Sequence, residues 1–148
     1  MKYIFLLLTI CSCKAFSQSN IDAVKKPIIR FFEGMKKGDS VLLTSSLAPQ
    51  PLLQTIATTK DGKTEVRTEN FQDFITAVTK PHKGIYDERI TFETIKIDGD
   101  LAFVWTPYQF YVSDTFSHCG VNSFQLVRFN GEWKIQYIID TRRKDNCL

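Results

Sequence analysis

The stretch Asp98-Gly99-Asp100-Leu101-Ala102-Phe103-Val104-Trp105 decides how the rest of the chain is read. A three-residue turn signal opens it, and a run of apolar and aromatic side chains suited to a pleated, half-buried strand follows. Working outward, the same strand character runs from Tyr86 to Thr141, cut again at Ser113-Asp114-Thr115 and Asn130-Gly131. These cuts predict four strands, and connections this short join only antiparallel neighbours.

Toward the amino terminus the period changes from two to that of a helix. Ile21, Val24, Ile28, Phe31, Phe32 and Met35 fall on one face of a helix that Ser19 and Asp22 would cap and that ends near Gly38. Pro27 is expected to kink this helix or to mark its first turn, because proline has no N–H to give. Asp39-Ser40 predicts a second, short helix through Leu47, stopped by Pro49 and Pro51. Leu52 to Thr59 and Lys63 to Thr68, around Asp61-Gly62, read as a small hairpin, and Asn70 caps a third helix that ends before Pro81. Helices first and a strand block last argue an α+β fold with helices on one sheet face.

Composition bounds the function. The 148 residues are 43% hydrophobic and 24% charged, which suits one globular domain. The first residues, Met1-Lys2 and an apolar run to Ile10, then Ala15-Phe16-Ser17, read as an export leader over residues 1–17, leaving a single domain over 18–148. The competing reading acylates Cys13 as a lipoprotein. Either way the expected location is the periplasm or the exterior, and the apolar run is too short for a membrane span. Without the leader, 17 basic residues face 16 acidic ones, so nothing electrostatic supports a nucleic-acid partner. Cleavage leaves Cys119 and Cys147, an even pair in an oxidising compartment, and this invites a disulfide worth about 3 kcal/mol in the chain-entropy model.

Several chemistries are excluded. There is no phosphate-cradling Gly-rich loop, no G-x-S-x-G elbow and no H-E-x-x-H. The histidines are His82 and His118, and His118 and Cys119, adjacent on a strand, point to opposite faces, so no metal is expected. No cofactor is implied.

Three further patterns carry a resemblance. Arg30-Phe31-Phe32-Glu33-Gly34-Met35-Lys36-Lys37-Gly38-Asp39, the Asp98 to Trp105 strand, and Gly131-Glu132-Trp133-Lys134-Ile135 followed by Asp140-Thr141-Arg142 resemble the nuclear transport factor 2-like superfamily. The nearest subset is the small bacterial proteins labelled lumazine-binding or polyketide-cyclase-like. The resemblance covers nearly all of the mature chain. It implies a cystatin-like cone: a curved antiparallel sheet closed by three helices from the amino-terminal half around one pocket, often dimeric through the outer sheet face. That superfamily holds isomerases, dehydratases, cyclases and proteins that only bind, so the fold does not choose a function.

Turn lengths predict which residues face the pocket, because strand side chains alternate and the turn sets the pairing. Pairing Phe129 with Glu132, Ser113 with Phe116 and Ile97 with Leu101 puts Ile95, Phe103, Trp105, Phe124, Leu126, Trp133, Ile135, Tyr137 and Ile139 on one face. Among them fall Glu93, opposite Trp105, with Asn122, His118 and Thr141. A carboxylate beside a Trp in an apolar cavity suits a general acid or base, and His118 at the pocket mouth suits the same work, so Glu93 and His118 are the catalytic candidates. Trp105, Asn122, Phe124 and Tyr137 are the ligand-contact candidates, Tyr137 also as a donor to a developing oxyanion. Asp140 falls on the opposite face, so a His118–Asp140 dyad requires a bulge. The outer face then carries Ile90, Phe92, Val104, Thr106, Tyr108, Phe110, Val121 and Ile138, apolar enough to predict a sheet-to-sheet homodimer.

The expected function is binding of a small hydrophobic or aromatic molecule. Two alternatives stay open: an isomerase, dehydratase or cyclase that uses the pocket Glu or His, and a structural dimerisation module.

Overall fold

A computed structural model describes residues 12–81 and 83–147. The leader expected over residues 1–17 lies for the most part outside the described residues, and so does His82. Helix α1 (Ser12–Lys37) begins ahead of the expected cap at Ser19 and runs unbroken through Pro27. It stops where expected: Gly38 takes a positive φ of 64°, and the Asp39 N–H turns back to the Gly34 carbonyl at 2.8 Å.

Helix α2 (Ser40–Ser45) starts on Asp39, whose carboxylate accepts from the N–H groups of Val41 and Leu42 at 2.9 and 3.1 Å. Strands β1 (Leu47–Thr58) and β2 (Thr64–Glu69) form the expected hairpin. The Asn70 side chain then caps α3 (Phe71–Thr79) by accepting from Gln72 and Asp73. The carboxyl-terminal block is β3 (Tyr86–Ile90), β4 (Thr94–Asp98), β5 (Leu101–Val112), β6 (Thr115–Phe129) and β7 (Glu132–Thr141).

The protein is α+β: helices from the amino-terminal half cover one face of a seven-stranded sheet ordered β2-β1-β7-β6-β5-β3, with β4 also on β5. Two features depart from the meander. The hairpin joins the sheet through β1, which runs parallel to β7. The expected first strand is two strands, because three residues, Thr91 to Glu93, face two residues of β5, Thr106 and Pro107. Pro107 has no N–H for the ladder, and its carbonyl and that of Trp105 take the N–H groups of Thr91 and Glu93 at 2.9 and 3.1 Å.

Three register expectations are corrected. The β4–β5 turn has two residues, Gly99-Asp100, and pairs Asp98 with Leu101. The β5–β6 turn is Ser113-Asp114, with Ser113 at φ 55°, and Ser117 is an extra residue beside the Phe110–His118 pair. In β7, Gln136 is extra, so Tyr137 faces Gln125 and Asp140 faces Asn122. Each one-residue slip exchanges faces. Ile95, Phe124, Leu126, Trp133 and Ile135 stay on the helix-covered side, whereas Phe103, Trp105, Tyr137 and Ile139 move to the other, and Val104, Thr106, Tyr108 and Ile138 come in.

The covered face holds the core. Phe124 and Leu126 are fully buried, and Phe124 meets Phe32 of α1 edge-on at 6.0 Å between centroids. Phe31 stacks on Phe74 of α3 at 5.7 Å. Among the described residues no helix is long and apolar enough to cross a membrane.

Candidate functional site

One end of the covered face is polar. Pairing aligns Thr55 of β1 with Asp140 of β7, Asp140 with Asn122 of β6, and Asn122 with Thr106 of β5. All four are buried, although each carries a group that loses hydration there. The row exists because Gln136 is bulged: without that extra residue Asp140 would point outward.

Glu88 of β3 joins the row from two strands away and accepts from Asn122 Nδ2 at 2.8 Å. Burial pushes its carboxyl from an ordinary 4.5 up to about 7; the Asn122 bond opposes this, and the nearby Asp140 adds to it. A group balanced there can exchange a proton near neutral pH.

The next pairs on the same face are Tyr108 with Gly120 and Phe110 with His118. The Tyr108 hydroxyl donates to the Thr141 carbonyl at 2.9 Å and lies 3.3 Å from Asp140 Oδ2. Gly120 makes this possible, since a Cβ there would sit 1.8 Å from the Thr141 carbonyl oxygen and 2.8 Å from the Tyr108 ring. Burial first, then the Asp140 and Glu88 charges, hold the Tyr108 phenol far above its usual range, so it remains a donor. Arg142 Nε donates to Asp140 Oδ2 at 2.8 Å.

His118 stands at the rim, 4.9 Å from the Phe110 ring and 5.7 Å edge-on to Tyr108, with Nδ1 3.1 Å from the Ser117 hydroxyl. Burial lowers its proton affinity below the usual 6.5, Arg142 and Lys144 lower it further, and Asp140 pulls the other way. The bulge does bring Asp140 to the face of His118, but its Oδ2 is engaged by Tyr108 and Arg142.

The other sequence candidates lie apart. Glu93 is exposed at the break between β3 and β4. It lines a cleft of about 380 Å³ with Arg89, Thr91, Tyr108 and Gly120, so this opening shares two residues with the polar end. Phe124 is core, Asn122 is at the centre of the polar row, and Trp105, 37% exposed, is on the outer face. Tyr137 is there too, its hydroxyl donating to Gln54 Oε1 at 2.7 Å. Cys119 and Cys147 are disulfide-bonded, 5.7 Å apart at Cα. Sequence reasoning missed Glu88, Thr55, Thr106 and Tyr108. Glu88 was legible as the inward member of Tyr86-Asp87-Glu88-Arg89-Ile90, whose alternation puts Tyr86, Glu88 and Ile90 together.

A helix-covered curved sheet with a polar end defines a cystatin-like, nuclear transport factor 2-like domain, and comparisons agree. Residues 19–137 match the family model described as "Putative lumazine-binding", and the chain belongs to that family. Solved structures share the fold at low identity. A protein of unknown function from Mycobacterium tuberculosis is 10% identical, with a TM-score of 0.72 over 91% of this chain and 78% of that one. A "putative dehydratase" of the same superfamily from Streptomyces avermitilis is 14% identical, with a TM-score of 0.65 over 86% and 98%. A Shewanella baltica protein of unknown function is 15% identical, at 0.64 over 86% and 97%. No curated protein matched the chain.

Proposed function

We propose that the chain binds a small molecule with an aromatic body and a polar edge at the polar end of the covered face. The observation that carries this reading is the buried row Thr55–Asp140–Asn122–Thr106 joined by Glu88. A structural core gains nothing from five polar side chains in one place, and the Thr55 and Thr106 hydroxyls have no hydrogen-bond partner. The rings of Tyr86, Phe110, His118 and Tyr108 offer contact for the body. The family description points to a heteroaromatic ligand. The test is a thermal-shift screen with flavins, pterins, sterols and polyketide-like aromatics. A true ligand at a hundred times its dissociation constant adds about 2.7 kcal/mol to the wild type, and little to Asn122→Leu. Equal shifts in both proteins, or none in either, refute the site.

Glu88 favours a second reading, proton-transfer catalysis. In it Glu88 is the acid or base, His118 assists, and Glu93 serves from the rim of the adjoining cleft. The separating experiment is turnover of any ligand found: Glu88→Gln should abolish it and retain binding, while unchanged turnover removes Glu88 from the chemistry.

Export and dimerisation belong to the same proposal. The apolar amino-terminal run and the Cys119–Cys147 bond support an oxidising compartment. The corrected outer face carries Phe103, Trp105, Tyr137 and Ile139, and these support pairing of two sheets. Sedimentation as a monomer at about 100 μM would refute the dimer, since interfaces of standard size hold at that concentration.

A further inference from the structure

Beyond the Asn122–Asp140 pair the β6–β7 ladder is interrupted. The Val121 N–H donates to the Thr141 hydroxyl at 3.2 Å rather than to a carbonyl, and the Thr141 carbonyl takes the Tyr108 phenol. Pairing resumes only at Cys119 and Arg143, through two backbone bonds of 2.8 and 2.9 Å. That is also where the chain is covalently closed, Cys119 to Cys147 across 28 positions. Arg142 lies inside the interruption, between the end of the ladder and the closed pair, with its side chain on Asp140.

We propose that the Cys119–Cys147 disulfide is a clasp that positions Arg142 and Lys144 against Asp140 and His118, and that its reduction by a dithiol releases the chain end and changes the charge of the site. In that step each sulfur takes one electron and one proton, giving two thiols, and the dithiol closes to its own disulfide. Cys119 and His118 are neighbours on one strand with opposite faces, so the bond sits directly behind the imidazole. Residues 144–146 are exposed, the two Cys119–Arg143 backbone bonds are the segment's other hold on β6, and the Arg143 Nε bond to the Asn146 carbonyl lies within the segment itself. The charged groups that act on His118 are Arg142 and Lys144 from this segment and Asp140 from β7; Glu88 of β3, opposite Phe110, and the Tyr108 ring face the same side. Release withdraws Lys144 and loosens Arg142, whose remaining hold is its own bond to Asp140, so the positive charge beside His118 falls while the carboxylate stays. The clasp thus keeps the site suited to neutral or anionic polar groups, and opening it favours a cationic one; this rests on the polar end being the binding site.

The test is the titration of His118 by NMR in the full chain, oxidised and then treated with dithiothreitol, with His82→Gln to assign the second imidazole. Reduction should move the His118 midpoint up and speed exchange of the Arg143 N–H by about tenfold or more. Oxidised Arg142→Gln should reproduce the upward movement without touching the bond. An unchanged midpoint after both thiols are shown to be free, or an unchanged midpoint in oxidised Arg142→Gln, overturns the clasp. If the reduced protein unfolds in buffer, the same oxidised and reduced titrations in sucrose, which favours the compact state, decide instead. The titration needs no ligand, so a silent ligand screen with a moving His118 midpoint would refute the binding reading and leave the clasp standing.

Discussion

The two ends of the covered sheet face share strands, helices and burial, yet they hold opposite chemistry. At one end Phe124, Leu126, Ile135, Val104 and Ala102 are apolar and fully buried. A few residues along the same strands Asn122, Asp140 and Thr106 are also buried, Asn122 held by Glu88 and Asp140 by Arg142, while the Thr106 hydroxyl has no partner. The apolar end gains from burial in proportion to area, whereas the polar end at best offsets the hydration it loses. Stability belongs to the first and, on the proposed reading, function to the second.

The largest break in this comparison comes where the two strands cross most tightly. Gly120→Ala would drive a Cβ into the Thr141 carbonyl, backbone against side chain, and should cost more than about 3 kcal/mol, read as a lowered urea midpoint. A loss under about 1 kcal/mol would mean that the β6–β7 crossing is looser than described. Phe124→Ala should cost about 3–5 kcal/mol through the cavity it leaves, with ligand binding affected only through folding.

Glu88→Gln sharpens the contrast through pH. The folded protein holds the Glu88 proton up to about 7, against 4.5 ordinarily, so between those values the folded state binds more protons than the unfolded one. Stability from this group is therefore complete below about 4.5 and is lost as pH rises through about 7, on the order of 3 kcal/mol in all. The wild type should lose ground to Glu88→Gln across that window and be the less stable at pH 8, as calorimetry at several pH values would read. A constant difference between the two proteins would place Glu88 in water.

The smallest effect is expected from Thr106→Val, which replaces an unpartnered buried hydroxyl with a methyl group. It should leave stability unchanged or raise it by about 1 kcal/mol. Destabilisation by that amount in thermal melts would show that the hydroxyl has a partner in solution.

Much of the fold was legible because its signals are local. Asp39 and Asn70 cap the helices as their side chains predict, and Asn130-Gly131 makes the expected turn, with φ of 50° and 86°. The site was harder to read because its two decisive features are extra residues, and a bulge is set by how a sheet must curve over its helices. Ser117 and Gln136 carry no mark in the sequence that distinguishes them from regular strand residues. Each exchanges the faces beyond it, which is why Trp105 and Tyr137 were expected inside and Tyr108 and Asp140 outside. Asn122 survived because it lies on a stretch of β6 whose own alternation, through Phe124 and Leu126, fixes its face.

The division of one sheet edge into β3 and β4 has a consequence for association between chains. Their pairings with β5 differ by one residue, so this border offers no continuous row of backbone groups longer than five residues. A strand from a misfolded neighbour that docked on β3 would arrive at β4 out of step, with its side chains turned the wrong way. The break at Thr91 to Glu93 thereby blunts a border along which fibrils could otherwise grow.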